Sequence, residues 1–432
     1  MQRCRIADKV RSGCCTGAGK MDLLLGAARG ARSRVNGWLM RERLVLYSCT
    51  MCLLYVILLA AWASTFDRAG AVHVAKPGAD FSVFWAASHV MLHGAPWQVY
   101  DHLAFARVEQ TLFSGFPGGD FLPWLYPPTF LLIVTPLALL PFVLAYAVFI
   151  GVSVFAFVAG TLRVSGLAQS VGSTRVGALL LAACPCVFVA ATFGQNSLLT
   201  AALVVLAVRW MERDPVRAGI CIGLLIVKPQ MALLFPLVLI AARAWRVLAV
   251  AAGSAALLAA VSVLVCGTQT LPLFMANASM ARDLILEHGE HFWFASPATF
   301  AALRLDGVPV APAYLAQGCV AAVAALAAWK VWSSTRDIGL RASILVVATL
   351  LANPYVWHYE LAWLGIALAC MTATGLRRGW LRGEQALLAL AWLLPLYEYF
   401  NRWAKLPQIG PIVLLLVLLA ILRRARTEAG AN

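Results

Sequence analysis

Between Pro127 and Leu162 the chain runs for 36 residues without a charge, and between Val176 and Val208 for another 33. A 33-residue helix would be ~50 Å long, well beyond the ~30 Å hydrocarbon core of a bilayer. Such runs therefore have to be broken spans rather than single ones. The whole chain is 62% hydrophobic and only 12% charged, about half the charge of a soluble domain. This excludes a soluble globular protein, a disordered chain and a disulfide scaffold. A membrane β-barrel would show alternating segments of ~10 residues, which are absent. The expected fold is an all-α polytopic membrane protein, a bundle of about 12 transmembrane helices with two larger outer loops.

The net charge of +15 could suggest nucleic acid, but its placement argues against that partner. Ten Lys/Arg stand against three acids in residues 1–43, and the other basic clusters end apolar runs, as at Arg209–Arg217, Lys330–Arg341, Arg377–Arg382 and Arg423–Arg426. This is the positive-inside pattern. It predicts a cytoplasmic tail over 1–43, a transmembrane domain over 44–426 and a short C-terminal tail over 427–432. The stretch 64–125 carries five acids against three bases, and 267–311 four against two, so both are expected outside. An inner-membrane protein with its polar face directed outward, to the periplasm, follows. The first span, Leu44–Trp62, has no small-residue cleavage site and reads as uncleaved.

Breaks are legible within the runs. Pro136 and Pro141 interrupt 127–162, leaving either one span with a re-entrant piece or two short spans. Gly194-Gln195-Asn196 divides 176–208, and Lys228-Pro229 divides 218–242. Phe81–His93 has helical character and is expected to lie in the headgroup plane. Further spans are expected near 247–266, 312–332, 340–352, 355–373, 385–400 and 410–423. Most of the eleven cysteines, among them Cys49, Cys52, Cys184 and Cys186, sit in apolar runs and count as small hydrophobes. Gly13–Lys20 imitates a phosphate loop, but five residues separate its outer glycines and Met21 stands where a Ser or Thr belongs.

All seven histidines lie in or beside the outward segments, which points to one chemically active face. Asp80 follows Pro77-Gly78-Ala79 and starts the expected interfacial helix. It can cap that helix or take a proton from a hydroxyl. Lys228 is the only basic residue in 25 apolar positions. An ionisable group there either clamps a phosphate or snorkels. His358, in Asn353–Glu360, can donate to a phosphate or sit at the headgroup level. Gln195 and Asn196 can bind sugar hydroxyls or satisfy backbone at a helix break. His89 and His93 are four apart on a helix, a metal-site spacing, yet neither they nor His288 and His291 have a third ligand in view. No metal or other cofactor is expected.

The ordered segments resemble glycosyltransferase family 87, mannosyltransferase-like membrane enzymes of the GT-C class. The resemblance is carried by Asp80–Ala87 with Gly94 and Val99-Tyr100-Asp101, Leu125-Tyr126-Pro127-Pro128 running to Pro141, Gly194-Gln195-Asn196, Ala218-Gly219 through Gln230, and Asn353-Pro354 through His358. It implies a GT-C-like bundle, a polyprenyl-phosphate sugar donor, a glycolipid or glycan acceptor and a site at the outer face. It also implies Asp80 as general base, Lys228 and His358 near the donor phosphate, and Tyr126, Gln195 and Asn196 as substrate-binding residues. The family often pairs two histidines after the tryptophan, whereas this chain has Tyr359 in the second place. The rival readings are a transporter or flippase of lipid-linked sugars and a non-catalytic partner in polysaccharide assembly. A transporter would want inverted repeats and midplane charges, neither of which is evident.

Overall fold

The computed structural model describes residues 41–68, 78–113 and 121–429. The tail with its Gly13–Lys20 loop, His73 and Asp120 lie outside the described residues. The regular elements of the described residues are all helices, with no strand among them. Among the described residues five helices are long and apolar enough to cross a membrane: Glu42–Ala61, Phe142–Ser165, Trp245–Cys266, Val310–Ser334 and His358–Arg378. A sixth crossing is available if Thr174–Ala182 and Pro185–Phe193, bent by 56° at their junction, count as one span.

The remaining runs form short apolar helices, Ser197–Trp210, Pro215–Val227, Pro229–Ala241 and Ile338–Ala352 among them. Proline and glycine set their limits. Pro136 sits in a 3-10 turn, Thr135–Leu139, and Pro141 precedes the long helix Phe142–Ser165. So 127–162 is a long helix able to cross a membrane, preceded by a short apolar piece, Pro128–Leu139. The run 176–208 breaks at Gly194–Asn196, as its sequence requires, and also at Ala183-Cys184, where Pro185 starts a new helix.

Packing is graded from the middle outward. Ile338–Ala352 is buried almost along its length, and it pairs with Val310–Ser334 and Leu364–Arg378. By contrast, Phe142–Ser165 leaves Val143 and Phe155 about three-quarters exposed (75% and 74%). An exposed apolar face of that size suits lipid rather than water. At one end, Arg424 grips Glu384 through Nε at 2.6 Å and through Nη2, tying the last two helices together.

The helix expected to lie on the membrane surface packs its apolar side chains inside the protein. Ala79–His93 buries Phe81, Val83, Phe84, Ala86, Ala87 and Val90. Phe84 meets Phe130 edge-on at 5.0 Å and Tyr126 at 5.3 Å. The aromatic residues that made it look like a headgroup anchor are instead the core of a second packed cluster with Trp124 and Phe130. Its buried polar anchors agree: Ser88 Oγ donates to the Thr135 carbonyl at 2.6 Å and accepts from Ala138 N–H at 2.8 Å.

Candidate active site

Two glycines bring the first site residue to its partner. Gly78 (φ +78°) turns the chain into Ala79–His93, and its N–H donates to the Thr192 carbonyl at 2.7 Å. Gly194 (φ +76°) ends Pro185–Phe193. A Cβ on Gly194 would lie 2.5 Å from Phe81 Cβ and 3.3 Å from Gly78 Cα. The absence of a side chain on Gly194 lets the two turns touch, while a Cβ on Gly78 would instead meet the Tyr146 ring at 3.1 Å. Asp80 and Gln195, next to these glycines, are thereby set face to face.

Gly78 takes the cap position, and no side chain caps the helix. The capping role open to Asp80 is therefore not the one it plays. Its Oδ2 accepts instead from Gln195 Nε2 at 2.5 Å, and Gln195 Oε1 accepts from the Tyr126 hydroxyl at 2.8 Å. Burial pushes the Asp80 carboxyl up to about 6, against the hydrogen bond from Gln195 and the charge of Arg402, which hold it down. A carboxylate with that value is ionised at neutral pH yet basic enough to take a proton.

Asp80, Tyr126 and Gln195 line a cavity of about 570 Å³, together with Lys228, Glu360 and Arg402. Lys228 sits between two 3-10 turns, Leu224–Val227 and Pro229–Ala232. It forms a buried ion pair with Glu360, and Asn196 Oδ1 accepts from its Nζ at 3.4 Å. The rings of Tyr359 and Tyr126 flank the ammonium, with centroids 5.4 and 5.8 Å away. Glu360 Oε2 also accepts the Trp357 N–H at 2.6 Å.

The sequence candidates thus separate into three groups. Asp80, Tyr126, Gln195 and Lys228 converge on the cavity wall. Asn196 is fully buried behind the wall, against Lys228. His358 is fully buried as well and does not line the cavity; its ring packs edge-on against Phe193 at 4.8 Å. Two wall residues had no part in the sequence reading. Glu360 lies in the same apolar run as His358, and the rule that singled out Lys228 applies equally to it. Arg402 sits in the last turn of Glu384–Ala404, where a cation looks like an ordinary span boundary.

The only group of three metal-type donors among the described residues is Asp283, Glu287 and His288. Glu287 is already engaged by Tyr314 at 2.9 Å and faces Arg282 at 3.6 Å, and His288 faces Asp283 at 3.3 Å. The His89 and His93 rings stack at 4.4 Å, with no third ligand in that group.

The model of glycosyltransferase family 87 matches residues 124–354, more than half of the chain. The chain belongs to that family. No curated protein and no solved structure matches it. The match makes this chain a membrane glycosyltransferase and implies a sugar donor and an acceptor. Tyr126, Gln195, Asn196 and Lys228 lie within the matched stretch, whereas Asp80, Glu360 and Arg402 lie outside it. The glycosyltransferase therefore draws its cavity from both the matched stretch and its flanks.

Proposed function

We propose that this glycosyltransferase moves a hexose, such as mannose, from a polyprenyl-phosphate donor to a hydroxyl of a glycolipid or glycan acceptor. The reaction would take place at the outer face of the inner membrane. One observation carries the reading: a carboxylate poised near pH 6 shares a cavity with buried and half-buried cations. A proton acceptor for the incoming hydroxyl and positive charge for a departing phosphate are what transfer from a phosphate-activated sugar needs.

In the proposed step the acceptor oxygen attacks the anomeric carbon. Asp80 takes the hydroxyl proton, the bond from the anomeric carbon to the phosphate oxygen breaks, and the electron pair leaves on the phosphate. Gln195, itself fixed by Tyr126, orients the carboxylate so that its other oxygen faces the acceptor. The other carboxylate of the wall, Glu360, is held by Lys228 and the Trp357 N–H, so Asp80 acts as the one base, no covalent nucleophile is invoked, and the configuration at the anomeric carbon inverts. The donor brings its own activation, so the step invokes no metal. A lipid-borne donor would enter past Phe274, Met275 and Ala278, apolar residues of the same cavity wall.

The test is transfer from a radiolabelled polyprenyl-phosphate hexose by purified protein in lipid, with membrane extract as acceptor. Wild type should transfer label, and Asp80→Asn should lose about 10²–10⁴-fold of the rate. Equal rates would remove Asp80 from the mechanism and leave the enzyme class standing. No transfer by folded wild type with several donors would favour a transporter or a non-catalytic assembly partner.

A further inference from the structure

Three cations line the cavity, and they differ in what already satisfies them. Lys228 is 6% exposed and Glu360 3% exposed, and each neutralises the other. Drawing Lys228 toward a ligand anion would leave a carboxylate buried and unpaired, which is costly. Arg282 stands at the rim, largely exposed, and faces Glu287 at 3.6 Å. Arg402 is half-buried and makes neither a salt bridge nor a hydrogen bond among the described residues, although its charge reaches the Asp80 carboxylate. Its guanidinium carbon lies 5.7 Å from the Phe193 ring centroid and 5.3 Å from that of Trp403. Aromatic faces hold such a cation in place without consuming its N–H donors.

We propose that Arg402, rather than Lys228, binds the phosphate of the lipid-linked donor, through two parallel N–H···O contacts, and that Lys228 is a positioning residue paired with Glu360. The proposal rests on the polyprenyl-phosphate reading above. Arginine suits the task because its planar fork matches two phosphate oxygens, whereas an ammonium meets them as a point charge. Its setting suits it too, since Phe193 immediately precedes Gly194-Gln195, the turn that fixes Asp80. One helix end therefore connects the phosphate ligand to the base. As the sugar leaves, the phosphate gains a negative charge, so the same contact strengthens along the reaction.

The experiment measures binding of undecaprenyl monophosphate against undecaprenol to purified protein in nanodiscs of zwitterionic lipid, by native mass spectrometry. The proteins are wild type, Arg402→Gln and Arg402→Lys, each checked for a monodisperse, thermally stable fold. Wild type should prefer the phosphate lipid. Arg402→Gln should reduce that preference at least about tenfold, and Arg402→Lys by about threefold or more, because it keeps the charge and loses the fork. If Arg402→Gln does not fold, Arg402→Lys carries the comparison, and an unchanged preference overturns the proposal. A folded Arg402→Gln with wild-type preference also overturns it and leaves the donor reading intact. A wild type that does not distinguish the two lipids removes the donor reading and this proposal together.

Discussion

Among the described residues two ion pairs are buried, Lys228–Glu360 and Arg424–Glu384, and they are built differently. Arg424 meets both oxygens of Glu384, donates to the Gly379 carbonyl at 2.8 Å, and leaves Glu384 to accept the Leu381 N–H at 3.0 Å. Both carboxylate oxygens, Nε and Nη2 are answered by protein, and the pair joins two helices. Lys228–Glu360 has a looser second contact, Asn196 at 3.4 Å, two tyrosine rings and a cavity on one side. A closed pair of this kind is a brace. An open one sets the charge of a wall that a substrate meets.

The largest effect that tests this contrast comes from breaking each pair on one side. Lys228→Met and Arg424→Met should each cost about 3–5 kcal/mol of stability, because each strands a buried carboxylate. Thermal unfolding in detergent would show both losses. Removing both partners should then separate the pairs. Arg424→Met/Glu384→Leu is expected to regain most of the stability and to keep its transfer rate per folded molecule. Lys228→Met/Glu360→Leu should regain stability but lose transfer. Equal transfer by the two double variants would erase the distinction between brace and wall.

A smaller effect probes the turn between the wall and its base. Gly194→Ala puts a methyl 2.5 Å from Phe81 Cβ, at φ +76°. A cost of about 1–3 kcal/mol is expected from that overpacking and strain. Transfer should fall further than stability, since Gln195 would no longer meet Asp80. A rate that simply tracks the folded fraction would show that the turn supports the fold alone.

The smallest effect is a shift in pH dependence. Asp80 titrates at about 6 because burial disfavours its charged form, so activity should rise with pH through that value. Gln195→Leu removes a bond that holds the carboxyl down and should move this acidic limb upward. The stability linkage runs the other way. A raised carboxyl value means that the folded protein holds its proton longer than the unfolded chain does. Stability is therefore favoured below the ordinary carboxylate range and lost as pH rises through about 6. Asp80→Asn should flatten that loss in thermal melts taken from pH 4 to 8.

Much of the molecule was legible in the chain. The uncharged runs required helices, and Pro136, Pro141, Gly194 and Pro229 marked where those helices would break. Gln195 and Lys228 stood out because polar groups are rare in such runs, and Asp80 because it follows Pro77-Gly78-Ala79 at the start of a helix. Other features were hidden. The break at Cys184 had only Pro185 to announce it, inside a run already assigned a break. Ala79–His93 carried the aromatic residues of a headgroup helix and proved to be packed within the protein, because those rings find Phe130 and Trp124. His358 had the composition of a site residue, yet its ring faces Phe193 and Tyr399 behind the wall.

By itself, the sequence determined that this protein is a helical membrane bundle, since only helices and closed barrels satisfy the backbone in lipid and the long uniform apolar runs lack a barrel's alternation. It also determined which residues are too polar for their surroundings to be incidental. The pairing of those residues was decided by tertiary structure alone. Gln195 reaches Asp80 across 115 positions and Lys228 reaches Glu360 across 132. No local pattern encodes a contact at that separation. It depends on how two turns pack, and here on a glycine, Gly194, without the side chain that would push the Phe81 turn away.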